Sequence, residues 1–435
     1  MILQADYLLR DVFGPQYTLV SFDPRGVNNS RTNIPLECFP NNFGARYQWS
    51  YDHLNVPVDD SSEQSLYRAW QLSRGWGERC RAVQGANETS KYANTVATAT
   101  DMLLYTKLRA KSLGQSVDQA KTWYYGASYG TALGATFASL FPDRVGRMIL
   151  DGVVDADQYY RGEWASTLAD TDKAAKSFFT LCYQAGQQRC AFHGNSSDAD
   201  EIERRFFRLL ENLKMHPILV SDPTLTSAPA LIGWQDLITY FLEALYNSAT
   251  NFPILALILS ELENGNATTL GATLGRLSPY PPVDPSFKQY SPEQARTQIA
   301  CIDSNGQYKA SSFNEYVNFV HLMANQSFYG GLLWASGFGS PCAGLDIKPP
   351  ISQAFNGKSS SNYVGMLMVK LIEYLGTVSA NNTNSPILFI GNTLDPVTPL
   401  TSAKQMASQF KGSALLIAEG IAVGHDTALL LLWHE

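Results

Sequence analysis

Five residues, Gly126-Ala127-Ser128-Tyr129-Gly130, narrow most sharply what this chain can fold into. They stand between a β-rich run, Lys121-Thr-Trp-Tyr-Tyr125, and a stretch from Ala132 to Phe141 that reads as a helix ended by Pro142. A chain that passes from strand to helix in so few residues must turn sharply. The serine at the turn is expected in a strained backbone conformation, and the glycines on either side remove side chains that would crowd strand against helix. Its hydroxyl would then stand exposed beside the helix N-terminus, with the Tyr129 N–H aimed at a developing oxyanion. Ser128 is therefore the candidate nucleophile and Tyr129 the candidate oxyanion donor.

The flanking segments extend the pattern. Tyr17-Thr-Leu-Val-Ser-Phe22 reads as a strand that stops at the turn Asp23-Pro-Arg-Gly26, and Arg147-Met-Ile-Leu-Asp151 reads as another. Helices are expected from Ser61, where Ser61-Ser-Glu-Gln64 has the form of a capping box, and over Ala97 to Lys111, ending near Gly114. Strands alternating with helices at this spacing predict a parallel sheet covered by helices. From about Tyr159 to Leu375 the pattern becomes helical. Ile202, Phe206, Leu209, Leu210 and Leu213 share one helical face, Leu237, Phe241, Ala244 and Leu245 another, and Ser291-Pro292-Glu-Gln294 reads as a helix start. Both stripes are read as core. Sheet character returns at Pro386 to Ile390, followed by a helix over Ser402 to Phe410 and a strand over Ala414 to Ile417. The expected fold is thus α/β of the hydrolase type, with residues 1–158 and 376–435 forming the core and a largely helical cap, 159–375, inserted in the sheet. A chain of 435 residues is long enough for such an arrangement.

A serine nucleophile needs a base, and the base an orienting acid. In this architecture the chain order is Ser, then Asp or Glu, then His. His425, in Val423-Gly424-His425-Asp426, is the histidine that follows a late strand in a loop. His53, His193, His216 and His321 lie outside that loop, and His434 adjoins the last residue. Asp395 follows the strand ending at Ile390, with Asp151 and Asp155 as fallback acids; Asp426 is too close along the chain to reach round to the imidazole.

Composition removes other classes. A net charge of -7 without a Lys/Arg cluster argues against nucleic acid as a partner. No apolar run approaches a membrane span. The first residues, MILQADYLLRDVFG, are not a signal peptide. Cys38, Cys80, Cys182, Cys190, Cys301 and Cys342 form an even set, and spacing favours Cys182–Cys190 first, then Cys38–Cys80 and Cys301–Cys342. Without C-x-x-C pairs and with few histidines, no zinc site or other cofactor is expected. Asn28, Asn87, Asn195, Asn266, Asn325 and Asn381 each begin an N-x-S/T sequon. Cysteines and sequons together point to a secreted protein whose signal lies upstream of this chain.

Three stretches, Trp123-Tyr-Tyr-Gly-Ala-Ser-Tyr-Gly-Thr131, Phe141-Pro-Asp-Arg-Val-Gly-Arg147 with Leu150-Asp-Gly-Val-Val-Asp155, and Gly391-Asn-Thr-Leu-Asp-Pro-Val-Thr-Pro399, are similar to those of the tripeptidyl-aminopeptidase-like serine hydrolases. These are secreted relatives of prolyl aminopeptidase, common in actinobacteria and filamentous fungi; the sequons and cysteines lean towards a fungal member. The resemblance runs from about Tyr17 to His425. It implies a triad on Ser128, Asp395 and His425, a helical cap over the site, release of short peptides from free N-termini, and a characteristic C-terminal region from roughly Val378 onward. It also implies a glycine-rich loop supplying a second oxyanion N–H and a strand leading into it. Nothing here matches these, so the N-terminal strands and oxyanion loop are expected to be missing from this chain. The family also usually continues past the histidine.

An esterase or other acyl hydrolase is the close alternative, since the same triad cleaves esters and the cap decides the substrate. A catalytically impaired, truncated member is the alternative from another class. Asp-based dehalogenase or epoxide chemistry is excluded by Ser128 at the elbow. For an aminopeptidase, cap carboxylates should meet the substrate ammonium; Glu163, Glu243, Glu261 and Glu263 are candidates by type.

Overall fold

The computed structural model describes residues 13–31, 34, 36–53, 56–84, 89–278, 292–308, 310–338, 340–355 and 377–424. Among the described residues, the first strand is preceded by the α-helices α1 (Phe43–His53), α2 (Glu63–Gln84) and α3 (Thr95–Ser112). Then follow β1 (Thr122–Ala127), α4 (Tyr129–Leu140) and β2 (Val145–Asp151). A long excursion succeeds them, comprising α5 (Ala156–Arg161), α6 (Thr171–Ala185), α7 (Ala199–Met215), the ribbon β3 (Ile218–Val220) and β4 (Ala230–Ile232), α8 (Trp234–Tyr246), α9 (Ser248–Glu263), α10 (Thr268–Thr273), α11 (Pro292–Asp303), α12 (Phe313–Gln326), α13 (Gly331–Gly337) and α14 (Ser340–Leu345). The chain then returns to the sheet with β5 (Ile387–Leu394), α15 (Leu400–Gln409) and β6 (Ala414–Ile421).

The main sheet has the order β1-β2-β5-β6, and its three pairings are parallel. The register sets Ala127 beside Asp151 and Asp151 beside Ile390. The loops leaving β1, β2 and β5 therefore emerge at one edge, which is where open parallel sheets build sites. Beneath it, Ala132, Ala135, Phe137 and Ala138 of α4 pack with Met148, Leu150, Phe389 and Phe410 in one buried cluster. The excursion has a separate core. There Phe178, Phe179, Phe206, Phe241 and Tyr329 gather with the Ile202 and Leu237 stripes, whose nine members are all buried.

Local signals displaced some boundaries. The helix expected from Ser61 is capped instead by Ser62, whose Oγ accepts the Ser65 N–H at 3.1 Å. The helix read from Ala97 begins at Thr95, because the Asn94 side chain accepts the Ala97 N–H at 2.8 Å. Gln294 Oε1 accepts the buried Cys38 N–H at 3.0 Å. Ser291 lies outside the described residues.

One expected strand is absent. Tyr17 to Phe22 makes no ladder among the described residues. Strand character requires backbone partners, and instead this stretch follows rings laid on β1, with Phe13 at 5.4 Å from Tyr125 and Tyr17 at 5.8 Å from Trp123.

The three disulfides are Cys38–Cys80, Cys182–Cys190 and Cys301–Cys342, the pairs that spacing favours. The last staples α11 to α14. Helix α14 in turn lies against α2 at backbone distance, since a Cβ on Gly344 would overlap the Arg74 carbonyl and one on Gly77 the Pro341 carbonyl. Asn28, Asn195, Asn266, Asn325 and Asn381 are exposed; Asn87 is outside the described residues. No helix among the described residues is long and apolar enough to cross a membrane.

Candidate active site

Ser128 is the junction between β1 and α4. Its φ of 52° and ψ of -123° lie where non-glycine residues rarely sit. The surroundings over-determine this strain. The Ser128 N–H donates to the Asp151 carbonyl at 3.1 Å, while the Ser128 carbonyl accepts both the Thr131 N–H at 2.8 Å and the Thr131 hydroxyl at 2.6 Å. Tyr124 donates its hydroxyl to the Gly130 carbonyl at 2.8 Å. The Tyr124 ring also fills the space that a side chain on Gly126 would need. The Ser128 side chain is left exposed, and Tyr129 opens α4, where backbone N–H groups have no intrahelical acceptor.

Asp395 sits just past β5 and is fully buried. Its Oδ1 accepts the N–H groups of Val397 at 3.0 Å and Thr398 at 2.7 Å. Its Oδ2 accepts the Thr398 hydroxyl at 2.7 Å and the Gly424 N–H at 2.8 Å. His425, one residue beyond Gly424, and Asp426 and His434 lie outside the described residues. Asn392 of β5 holds the same loop, donating from Nδ2 to the Ala422 carbonyl at 2.9 Å and to the Gly424 carbonyl. The approach of Gly152 tightens the arrangement, since a Cβ there would lie 2.9 Å from Gly424 Cα.

Burial pushes the Asp395 carboxyl up to about 6, against the hydrogen bonds from Thr398, Gly424 and Val397 that favour its ionised form. A carboxyl raised by folding stabilises the protein below its unfolded value near ~3.9, and that contribution is lost as pH rises through the folded value. The Tm of Asp395→Asn relative to wild type should therefore climb as pH goes from about 4 to about 7. Thermal melts across that window check the sign; a relative fall would mean that the donors outweigh burial.

The fallback acids fare differently. Asp155 caps α5, accepting the Gln158 N–H at 3.0 Å. Asp151 ends β2, buried, with its Oδ2 accepting the Tyr125 hydroxyl at 3.0 Å. A Cβ on Gly424 would sit 3.4 Å from Asp151 Oδ1, so both Asp151 and Asp395 flank the residue before His425. Among the other histidines, His53 ends α1, His216 follows α7 and His321 lies within α12, while His193 stacks on Tyr183.

Of the four candidate glutamates, Glu163 pairs with Arg161 at 2.9 Å and Glu263 pairs with Arg205. Glu261 Oε2 is buried without a hydrogen-bond partner among the described residues. Glu243 lines an open cleft of about 230 Å³ with Tyr47, Ser50, Tyr51, Thr239 and Arg276. It lies one helical turn before Tyr246, whose carbonyl accepts the Val423 N–H at 3.4 Å. The next residues of the excursion also touch this loop, since Ser248 donates its hydroxyl to the Ile421 carbonyl at 2.6 Å. No group of three or more His, Cys, Asp or Glu among the described residues could hold a metal ion.

Sequence reasoning missed Thr131, Thr398 and Asn392 as supports. Thr398 carried a faint signal, an Asp with a Thr three residues on, which is a common local capping arrangement. Asn392 carried none, because its partners come from a loop thirty residues away.

A family model described as alpha/beta hydrolase fold matches residues 3–421. Serine protease Hip1 of Mycobacterium tuberculosis (strain ATCC 25618 / H37Rv) is 26% identical over 402 residues, covering 92% of this chain and 68% of that protein. Tripeptidyl aminopeptidase of Streptomyces lividans is 24% identical over 409 residues, covering 92% of this chain and 63% of that protein. The chain thus spans about two thirds of the length of these curated relatives.

Proposed function

The chain belongs to the α/β-hydrolase fold family, and from that premise we propose that it is a serine exopeptidase releasing short peptides from free N-termini through an acyl-enzyme on Ser128. The observation that carries the reading is the exposed Ser128 held at positive φ between β1 and α4. A hydroxyl so presented has no side chain of its own helix in front of it. In this reading, Ser128 Oγ attacks the scissile carbonyl as His425 takes its proton. The oxyanion then receives the Tyr129 N–H. Collapse breaks the C–N bond, His425 returns the proton to the departing amine, and water hydrolyses the ester by the same steps in reverse order.

Asp395 is the acid that orients His425. Supporting this is the Gly424 N–H donated to its Oδ2, which tethers the histidine's chain neighbour to the carboxylate. The insertion 159–375 acts as the cap, and its contacts with the 421–423 loop support that role. Glu243, facing the cleft, is the favoured partner for a substrate ammonium. The relatives named a serine protease and an aminopeptidase support peptide substrates. Three disulfides and five exposed sequon asparagines support export.

Assay of the purified chain on fluorogenic tripeptide amides, free or N-acetylated, and on a short-chain ester tests the substrate class. Free peptides should be cleaved roughly 10²-fold more efficiently than acetylated ones, because a site built around an ammonium leaves its carboxylate unpaired when the charge is blocked. Equal turnover of the two peptides would remove the exopeptidase reading, and hydrolysis of the ester alone would replace it with an esterase.

A further inference from the structure

Asp303, the last residue of α11, is a buried carboxylate far from Ser128 in sequence and outside the triad. Its Oδ1 accepts the Thr95 N–H at 2.8 Å. Its Oδ2 accepts the Thr95 hydroxyl at 2.6 Å and the Tyr159 hydroxyl at 2.7 Å. Burial pushes its carboxyl up to about 6, and those donors pull it back towards ionisation. Three helices meet here, since Thr95 opens α3, Tyr159 lies on α5 and α11 belongs to the excursion.

The next bond reaches the elbow. Thr95 Oγ1 and the Tyr129 hydroxyl are 2.7 Å apart. A threonine hydroxyl has one proton, and here it goes to Asp303. Tyr129 must therefore be the donor, so the chain of bonds runs in one direction, from Tyr129 through Thr95 to Asp303. Ring contact with Tyr159 at 5.9 Å braces the same side chain. Tyr129 is the residue whose backbone N–H faces the oxyanion in the function proposed above, and its other neighbour is the strained Ser128. Strained backbone persists only where the surroundings hold it.

We propose that Asp303 is a positioning residue for the oxyanion donor: through Thr95 it anchors the Tyr129 side chain, and thereby fixes the Ser128–Tyr129 peptide that presents the N–H. This inference rests on the reading of Ser128 as nucleophile. A segment of the inserted helical region thus stands behind the elbow, and it is stapled to α14 by Cys301–Cys342 two residues earlier.

The test compares Tyr129→Phe, Asp303→Asn and their double variant with wild type in the full chain, reading kcat, KM, Tm and the rate of fluorophosphonate labelling at Ser128. Each single variant should lose roughly 10–100-fold in kcat with KM nearly unchanged, the scale expected for a misplaced catalytic group. The double variant should be no worse than the poorer single, because one chain of bonds is cut twice. Thr95→Ser, which keeps the hydroxyl, should retain wild-type kcat, whereas Thr95→Val should behave like Tyr129→Phe. Tyr129→Phe with wild-type kcat, or losses that multiply in the double variant, would overturn the proposal. If Asp303→Asn does not fold, the Tyr129 and Thr95 variants decide alone. Unchanged turnover and no labelling loss in Ser128→Ala would instead sink the underlying reading of the nucleophile, a separate outcome.

Discussion

Replacing Ser128 with alanine is expected to remove essentially all turnover, a fall of roughly 10⁶ in kcat of the kind seen when the nucleophile of such a triad is deleted. The fold should survive. Alanine keeps the Cβ that makes a φ of 52° uncomfortable, so the strain neither grows nor disappears, and the bonds that hold the turn are made by the Ser128 backbone, not its hydroxyl. Tm should therefore stay close to wild type while activity vanishes. Residual activity within tenfold of wild type would take Ser128 out of the mechanism, and a large drop in Tm would mean that the hydroxyl has a structural partner.

Asp395→Asn is expected to cost roughly 10⁴ in kcat, because an amide in place of the carboxylate presents a donor where the imidazole N–H needs an acceptor and favours the wrong tautomer. The asparagine would also set an NH₂ against one of its present donors, the N–H groups of Val397, Thr398 and Gly424 or the Thr398 hydroxyl. Some loss of stability at low pH is therefore expected with the loss of rate. The control is Asp151→Asn. Asp151 also lies beside Gly424, but its Oδ2 is engaged by the Tyr125 hydroxyl, so its substitution should act chiefly on stability. An active Asp395→Asn together with a folded but inactive Asp151→Asn would transfer the role of acid to Asp151.

Features that depend on neighbours a few residues apart are legible in the amino-acid order alone. The junction of strand and helix at Ser128 is local steric geometry, and the structure has β1 ending at Ala127 and α4 starting at Tyr129. The helical stripes of α7 and α8 are periodicity, and each stripe residue is buried where the period puts it. Cys182–Cys190 follows from a separation of 8 residues.

Features that depend on partners distant in the chain arise only from packing. Tyr17 to Phe22 has strand composition but no ladder among the described residues, since a strand is made by the backbone beside it. Gln294 satisfies Cys38, 256 residues away, a partner that no local pattern announces. Asn392 steadies the Gly424 loop, and Asp303 stands behind Tyr129 through Thr95. Neither residue has a local pattern to announce it. A buried polar group must find its hydrogen-bond partners wherever packing supplies them, so its role is written in the contacts and not in the spacing.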